Sequence, residues 1–343
     1  MIRINDWFIL KGSENDMENN TNNNPDNGII YEQPVPPVVN EQGNGTVNNN
    51  FTPYTQDTYI PPKYRKEKQP VLAAVLAFLI MLAFLGIQFV VMIPYMMGAA
   101  INTVTSADVT ALNSEELTKE LIDSVDSIGL TLLATVVSAI VAVIWYKFAY
   151  CRGVGFTQIK GTVKTVCKDG KVFGIILAGI GIYYLSNWLI LLIELISPDL
   201  MDQYYKLIEM SGFENADWKI IILTVLIAPI NEECIMRGLI FKKLKLNMAP
   251  IAAIIISAIY FGIFHMNLVQ GIYAAFIGLF MAYLANKYNS IIPSILFHAV
   301  FNGFNYVLAA LPQEFSENIF ILAVVPLVSL CLWYFLEGKR KIE

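Results

Sequence analysis

The residues best able to do chemistry lie inside the most apolar parts of this chain. Residues 224–241 read TVLIAPINEECIMRGLIF and contain Glu232, Glu233 and Arg237. An ionisable group near the centre of a transmembrane helix costs about 2.5–3.5 kcal/mol on insertion scales, so its presence there indicates function. Glu233 and Arg237 are four residues apart and can pair along one helical face. Glu232 points about 100° away from Glu233 and is left to face another partner.

The two histidines of the chain extend this set. His265 lies in YFGIFHMN and His298 in ILFHAVFNGFN, both within apolar segments. Phe261 and His265 share a helical face, as do His298 and Asn302, because each pair is four residues apart. Taken singly, a membrane histidine often only bonds a neighbouring helix, and the Glu and Arg residues can be a structural ion pair with a second Glu reaching toward water. Their occurrence together on three successive apolar segments favours a polar site.

Glu and His side chains point to the activation of water. Either can act as a general base, or can hold a metal ion that activates water. His and Asn can also donate hydrogen bonds to a developing oxyanion. Neither Ser257 nor Cys234 has a local partner in an obvious nucleophile–base arrangement, which disfavours a covalent nucleophile. The set therefore predicts hydrolysis inside the membrane.

Composition predicts the elements that must position these residues. The chain of 343 residues is 56% hydrophobic and 15% charged, with a mean hydropathy of +0.54, whereas soluble domains have about a quarter charged residues. Apolar runs near the roughly 20 residues that cross a bilayer predict an all-α polytopic membrane protein with about eight transmembrane helices and an intramembrane polar site. The predicted spans are 70–97, 127–146, 172–196, 218–241, 248–265, 268–286, 291–311 and 318–336.

The charges between the spans predict the orientation. The segment KYRKEK, the loops 147–171 and 242–247 and the tail EGKRKIE are rich in Lys and Arg, whereas the other loops are acidic. Basic residues in short loops stay cytoplasmic, so we expect a multi-pass protein of the cell membrane with both termini inside the cell. The four cysteines, Cys151, Cys167, Cys234 and Cys331, form no CxxC pair and are predicted to be unpaired.

Three regions are predicted along the chain. Residues 1–68 are rich in Asn and Pro without an apolar period, which is typical of a disordered tail, here cytoplasmic. Translation can start at Met1 or at Met17. Residues 69–338 form the transmembrane domain, with the polar motifs within about 218–311, and residues 339–343 form a basic cytoplasmic tail.

Three motifs in this order resemble a known family. EECIMR follows an EExxxR pattern, FGIFH follows FxxxH and HAVFN follows HxxxN. Each motif is weak alone, but together on successive spans they resemble the CAAX prenyl protease and bacteriocin-processing (CPBP, or Abi) family. The resemblance covers residues 218–311 and implies an intramembrane endopeptidase. It also implies that Glu232 and His265 activate the attacking water while His298 and Asn302 hold the oxyanion.

The resemblance further implies that Glu233 and Arg237 orient the site and balance its charge, with Phe261 packed beside them. Relatives are often described as metalloproteases, which would give a zinc site made of Glu232, His265 and His298. The sequence lacks the HExxH arrangement that holds zinc from one helix. We favour glutamate-type catalysis without a cofactor and keep zinc as the alternative.

Two other classes of protein fit part of this pattern. A transporter also keeps charge at mid-membrane, but it should show an internal repeat, and the first three spans have no counterpart to the polar cluster. A non-catalytic bacteriocin-immunity or scaffold protein of the same fold is the stronger alternative. As partners we expect membrane lipids and a peptide or protein substrate that enters from the bilayer or the cytoplasmic side, and no nucleic acid.

Overall fold

The structure is a computed structural model that describes residues 68–106, 126–151, 163, 170–211, 217–312 and 318–338. Within these ranges the regular structure is helical and no β-strand occurs. Residues 1–67 of the predicted N-terminal tail and the predicted C-terminal tail, 339–343, lie outside the described residues, as does Cys167. The other three cysteines are free thiols, as predicted.

Nine helices, numbered here in chain order, make up the described part of the chain. They are α1 Pro70–Ser106, α2 Ser127–Tyr150, α3 Lys171–Ile196, α4 Pro198–Ser211, α5 from Trp218 to Lys245, α6 Pro250–Phe264, α7 Leu268–Tyr288, α8 Ile292–Ala309 and α9 Ile319–Gly338.

A helix lies at each of the eight predicted spans, but the count of eight crossings is not confirmed. Five described helices, α1, α2, α3, α7 and α8, are long and apolar enough to cross a membrane. Helices α6 and α9 are apolar but shorter over their apolar parts, Pro250–Phe264 and Phe320–Leu336, and α5 changes its helical type along its length. The protein is therefore a multi-pass membrane protein.

Helix ends differ from the predicted span ends where polar residues continue the helix. Helix α1 runs to Ser106 instead of residue 97, and the hydroxyls of Thr103 and Thr105 bond to carbonyls one turn back. Hydropathy locates the apolar part of a helix and not its last hydrogen bond, so it does not predict a helix end that is made of polar residues.

The predicted acidic loop between the third and fourth spans contains the amphipathic helix α4. Its Met201 is buried with Ile193 of α3 and Val269 of α7, whereas Asp202, Lys206 and Glu209 are exposed. At 14 residues, α4 is too short to span a bilayer. The prediction of a loop between the third and fourth spans was therefore wrong, because Pro198–Ser211 is helical.

Helix α5 is continuous but alternates between α and π geometry. Its segments are Trp218–Ile222 (α), Leu223–Ile227 (π), Ala228–Glu233 (α), Cys234–Phe241 (π) and Lys242–Lys245 (α). The residues at every junction keep right-handed helical dihedrals. Single π turns inside α-helices are frequent at functional sites, and here two of them flank the EE pair.

Helix α5 lies at the centre of the packing. It contacts α1, α2, α6, α7 and α8, and its second π segment is buried on all sides. Gly238 lets the ring of Tyr146 on α2 approach closely, since a Cβ there would lie 2.9 Å from a ring carbon. A charged residue within this second π segment, such as Arg237, is therefore surrounded by other helices and not by lipid.

Candidate active site

A buried ion pair forms the base of the site. The Nη1 atom of Arg237 donates to Oε1 of Glu233 over 2.8 Å, and both side chains are fully buried. The Nη2 atom of Arg237 donates to the carbonyl oxygen of Gly278 on α7 over 2.9 Å. The guanidinium also lies over the ring of Phe261, 4.7 Å from its centroid. Arg237 thus contacts Glu233, Gly278 and Phe261 at once.

Glycine at position 278 makes room for this arrangement. A Cβ on Gly278 would lie 3.2 Å from a ring carbon of Phe261 and 3.2 Å from the Cα of Ala258. Helices α6 and α7 therefore approach closely where Arg237 reaches the Gly278 carbonyl. Removing a charge pair from water is costly, and it is offset only when further hydrogen bonds satisfy the charged groups.

His298 joins the ion pair to the second glutamate. Its Nδ1 lies 3.3 Å from Oε1 of Glu233, and its Nε2 lies 3.7 Å from Oε2 of Glu232. Because a carboxylate only accepts hydrogen bonds, the Glu233 contact places a proton on Nδ1. The Nε2 atom is therefore directed toward Glu232.

His265 lies at the end of α6, where it caps the helix. Its Nδ1 lies 2.8 Å from the carbonyl oxygen of Phe261, and its ring packs edge-on against the Phe261 ring at 4.8 Å. A carbonyl oxygen only accepts, so Nδ1 carries the proton and Nε2 of the neutral ring presents a lone pair.

Glu232 differs from its neighbour Glu233 in what surrounds it. Its side chain retains 17% of its exposure, against 0% for Glu233. Like Oε2 of the enclosed Glu233, the buried Oε2 of Glu232 has no hydrogen-bond partner within the described residues. The oxygen faces His298 Nε2 beyond hydrogen-bond distance. Such an oxygen can accept a hydrogen bond from a further donor that enters the site.

Asn302 is placed by a backbone contact across to α5. Its Nδ2 donates to the carbonyl oxygen of Thr224 over 2.8 Å. Since that oxygen only accepts, the contact identifies the amide nitrogen of Asn302 and leaves its second N–H available. His298 and Asn302 lie one turn apart on α8, and both contact residues of α5.

The structure thus gathers Glu232, Glu233, Arg237, His298 and Asn302 where α5 meets α8, with Phe261 and His265 on α6. The individual catalytic roles of these residues stay predictions. Within the described residues, no three His, Cys, Asp or Glu side chains are grouped so that they could hold one metal ion. Glu232, His265 and His298, the residues of the alternative zinc site, therefore do not form such a group among the described residues.

Sequence reasoning missed several residues that support the site. The carbonyls of Thr224 and Gly278 accept hydrogen bonds from Asn302 and Arg237, and Tyr306 bonds to the Thr224 hydroxyl. Asn231, next to Glu232, is buried and accepts a hydrogen bond over 2.9 Å from Ser138 on α2. Of these residues, only Asn231 is noticeable in the sequence, because it is a polar amide within an apolar span. Backbone carbonyls and hydroxyls on other helices leave no such signal.

Comparison with known proteins agrees with the motifs. Residues 214–304 match the family model described as type II CAAX prenyl endopeptidase Rce1-like, which is consistent with the predicted resemblance to the CPBP family and includes every predicted site residue. No curated protein and no solved structure shows a significant match to the chain. The family match supports a membrane protease and carries no support for a metal requirement or a link to bacteriocins.

Proposed function

We propose that this multi-pass membrane protein, which is similar over its motif region to type II CAAX prenyl endopeptidases, is an intramembrane endopeptidase. It hydrolyses a peptide bond in a membrane-associated peptide or protein by means of an activated water, without a metal ion. One observation carries the proposal: a buried oxygen of Glu232 without a hydrogen-bond partner faces Nε2 of His298, in a site where the neighbouring helix α6 ends at His265.

The first half of the reaction uses Glu232 and His265. A water held between the Glu232 carboxylate and the lone pair of His265 Nε2 loses a proton to one of these bases. Its oxygen then attacks the carbonyl carbon of the peptide bond. The electron pair of the C=O bond moves onto the carbonyl oxygen, which becomes the oxyanion of a tetrahedral intermediate.

The second half uses His298 and Asn302. The remaining N–H of Asn302 Nδ2, and Nε2 of His298 when that nitrogen also carries a proton, donate to the oxyanion. When the intermediate collapses, the C–N bond breaks and the proton taken from water passes to the leaving amine. Glu233 and Arg237 hold His298 in place through its Nδ1 and keep the charge of the base of the site balanced.

Orientation and substrate access complete the proposal. The basic loops favour both termini in the cytoplasm. An apolar groove of about 460 Å³ lies beside the turn that follows His265, lined by residues such as Gly262, Met266 and Gly271. This groove supports entry of the substrate from the bilayer, with membrane lipids as the surrounding partners.

The decisive experiment compares the purified wild type with Glu232→Gln and His265→Ala on a peptide library, with metal content measured in parallel. We expect each substitution to lower the cleavage rate about 10²–10⁴-fold, the range of a lost general base. Glu209→Gln, on the exposed face of α4, is the matched control and should cleave like the wild type. Equal cleavage by all four proteins contradicts a catalytic site here and favours a scaffold role. Stoichiometric zinc that is lost with His265→Ala contradicts metal-free catalysis.

A further inference from the structure

The first π segment of α5 has one carbonyl that its own helix leaves without a donor. The N–H of Ala228 bonds to the carbonyl of Leu223, five residues back, as π geometry requires. In the same register the carbonyl of Thr224 awaits the N–H of residue 229, which is Pro229 and has none. A carbonyl buried in a membrane protein without a donor is costly, so another group must supply one.

Asn302 supplies that donor. Its Nδ2 lies 2.8 Å from the Thr224 oxygen, so the freed carbonyl fixes both the position of the amide and which of its two ends faces α5. With ordinary α geometry at this point, the N–H of Ala228 would bond to the Thr224 carbonyl, and no acceptor would remain for Asn302. The combination of the π turn and Pro229 therefore creates the acceptor that holds Asn302.

Tyr306 on α8 also forms a hydrogen bond with Thr224, through the threonine hydroxyl. The hydroxyl of Thr224 donates to the Ile220 carbonyl over 2.8 Å, and a hydroxyl has only one hydrogen. In the 2.8 Å contact between the Thr224 and Tyr306 hydroxyls, Tyr306 must then be the donor. Asn302 and Tyr306 lie one turn apart on α8, so two consecutive turns of α8 bind the carbonyl and the hydroxyl of one threonine.

We propose that Thr224, Pro229 and Tyr306 are positioning residues that hold the Asn302 amide in register with the oxyanion site. This inference rests on the proposed function, since it assigns these residues a role through Asn302. Hydrogen-bond donors act in catalysis only when they are aimed at the place where charge develops, and small displacements of such groups lower the rate strongly. None of the three residues belongs to the EExxxR, FxxxH or HxxxN motifs.

The test measures kcat and KM for Tyr306→Phe, Thr224→Val, Thr224→Ser and Asn302→Ala, singly and with Tyr306→Phe added to Asn302→Ala. We expect kcat to fall about tenfold for Tyr306→Phe and Thr224→Val, with KM nearly unchanged. Thr224→Ser keeps the hydroxyl and should retain the wild-type kcat. Tyr183→Phe is the matched control, because it removes a tyrosine hydroxyl that bonds Asn305, another amide of α8, over 2.9 Å. It should leave kcat unchanged.

The double variant decides between positioning and mere structural support. If Tyr306 acts through Asn302, its loss in the Asn302→Ala background lowers kcat no further, whereas independent effects multiply. Multiplying effects, or a Thr224→Ser variant as slow as Thr224→Val, overturn the inference even if Glu232→Gln remains inactive. Full activity of Glu232→Gln and Asn302→Ala instead overturns the proposed function itself.

Discussion

Two helix interfaces of this protein use polar residues in opposite ways. Between α3 and α9 the contact is made by small residues: a Cβ on Gly181 would lie 2.7 Å from both Leu330 Cγ and Ser329 Oγ. The Ser329 hydroxyl bonds only to carbonyls of its own helix, at 2.7 Å and 3.2 Å. Between α5 and α8, polar side chains cross from one helix to the other, as in the contacts of His298, Asn302 and Tyr306.

The difference shows how a membrane protein can separate packing from chemistry. Lipid tails are as apolar as leucine, so helices associate through close packing of small residues or through interhelical hydrogen bonds. The first kind of contact tolerates any apolar partner of the right shape. The second requires particular atoms at particular positions, and it is the kind that builds the candidate site.

The largest expected effect is a loss of stability when the buried Glu233–Arg237 ion pair is broken. Arg237→Met leaves Glu233 buried without its cation, and such a change typically destabilises by about 3–5 kcal/mol. Thermal unfolding of the protein in detergent should therefore show a large loss of stability. Combining it with Glu233→Gln removes both charges and should recover most of that loss. If the single variant is as stable as the double variant, the ion pair does not organise this interface.

A smaller effect is expected at the packed interface. Gly181→Ala places a methyl group against Leu330 and Ser329, and overpacking of this kind typically destabilises by about 1–3 kcal/mol. Gly86→Ala on α1 is the control, because no atom lies within 4 Å of a Cβ built there. Unfolding in detergent should separate the two variants. Equal stability of both would mean that α3 and α9 can move apart without cost.

The smallest effect lies outside the membrane, at the start of α2. The N–H of Gly129 donates to the Asp126 carboxylate over 2.8 Å, and this bond, helped by Lys219 at 3.5 Å, holds the pKa of Asp126 below its usual 3.8. A carboxylate with a depressed pKa stabilises the fold above its usual pKa, and that contribution is lost as the pH falls through the lowered pKa.

Asp126→Asn should therefore flatten the dependence of stability on pH in the acid range, where the pH falls through the usual pKa of Asp and then through the lowered pKa, while it keeps a good helix cap. Because the side chain is half exposed, the change should stay below about 1 kcal/mol. Unfolding in detergent measured across this pH range checks it. A wild type and variant with parallel profiles would show that the contact contributes nothing to stability.

Much of the site could be predicted because its residues violate the composition around them. Glu232, Glu233 and Arg237 stand out within an apolar span, and two histidines are easily located when the chain has no others. Four-residue spacing then predicted the Glu233–Arg237 pair and the shared face of His298 and Asn302, since these follow from helical geometry alone. The family match over residues 214–304 confirmed the resemblance drawn from these motifs.

Other features could not be predicted because no local pattern encodes them. The amphipathic helix α4 was taken for an acidic loop, since its apolar side is short and is defined by contacts with Ile193 and Val269. The π turns of α5 depend on which carbonyls find donors on other helices. The number of full membrane crossings also depends on where each helix ends, and hydropathy does not report this.

The sequence by itself determined that this is a helical membrane protein and which side chains can do chemistry, because hydropathy and residue type are local properties. Only the tertiary structure decided what each of these side chains faces. The adjacent residues Glu232 and Glu233 are identical in type, yet Glu233 is fully buried and paired with Arg237, whereas Glu232 retains 17% of its exposure and faces His298. The physical reason is that a charge inside a membrane is stabilised only by the groups around it, and those groups come from distant parts of the chain.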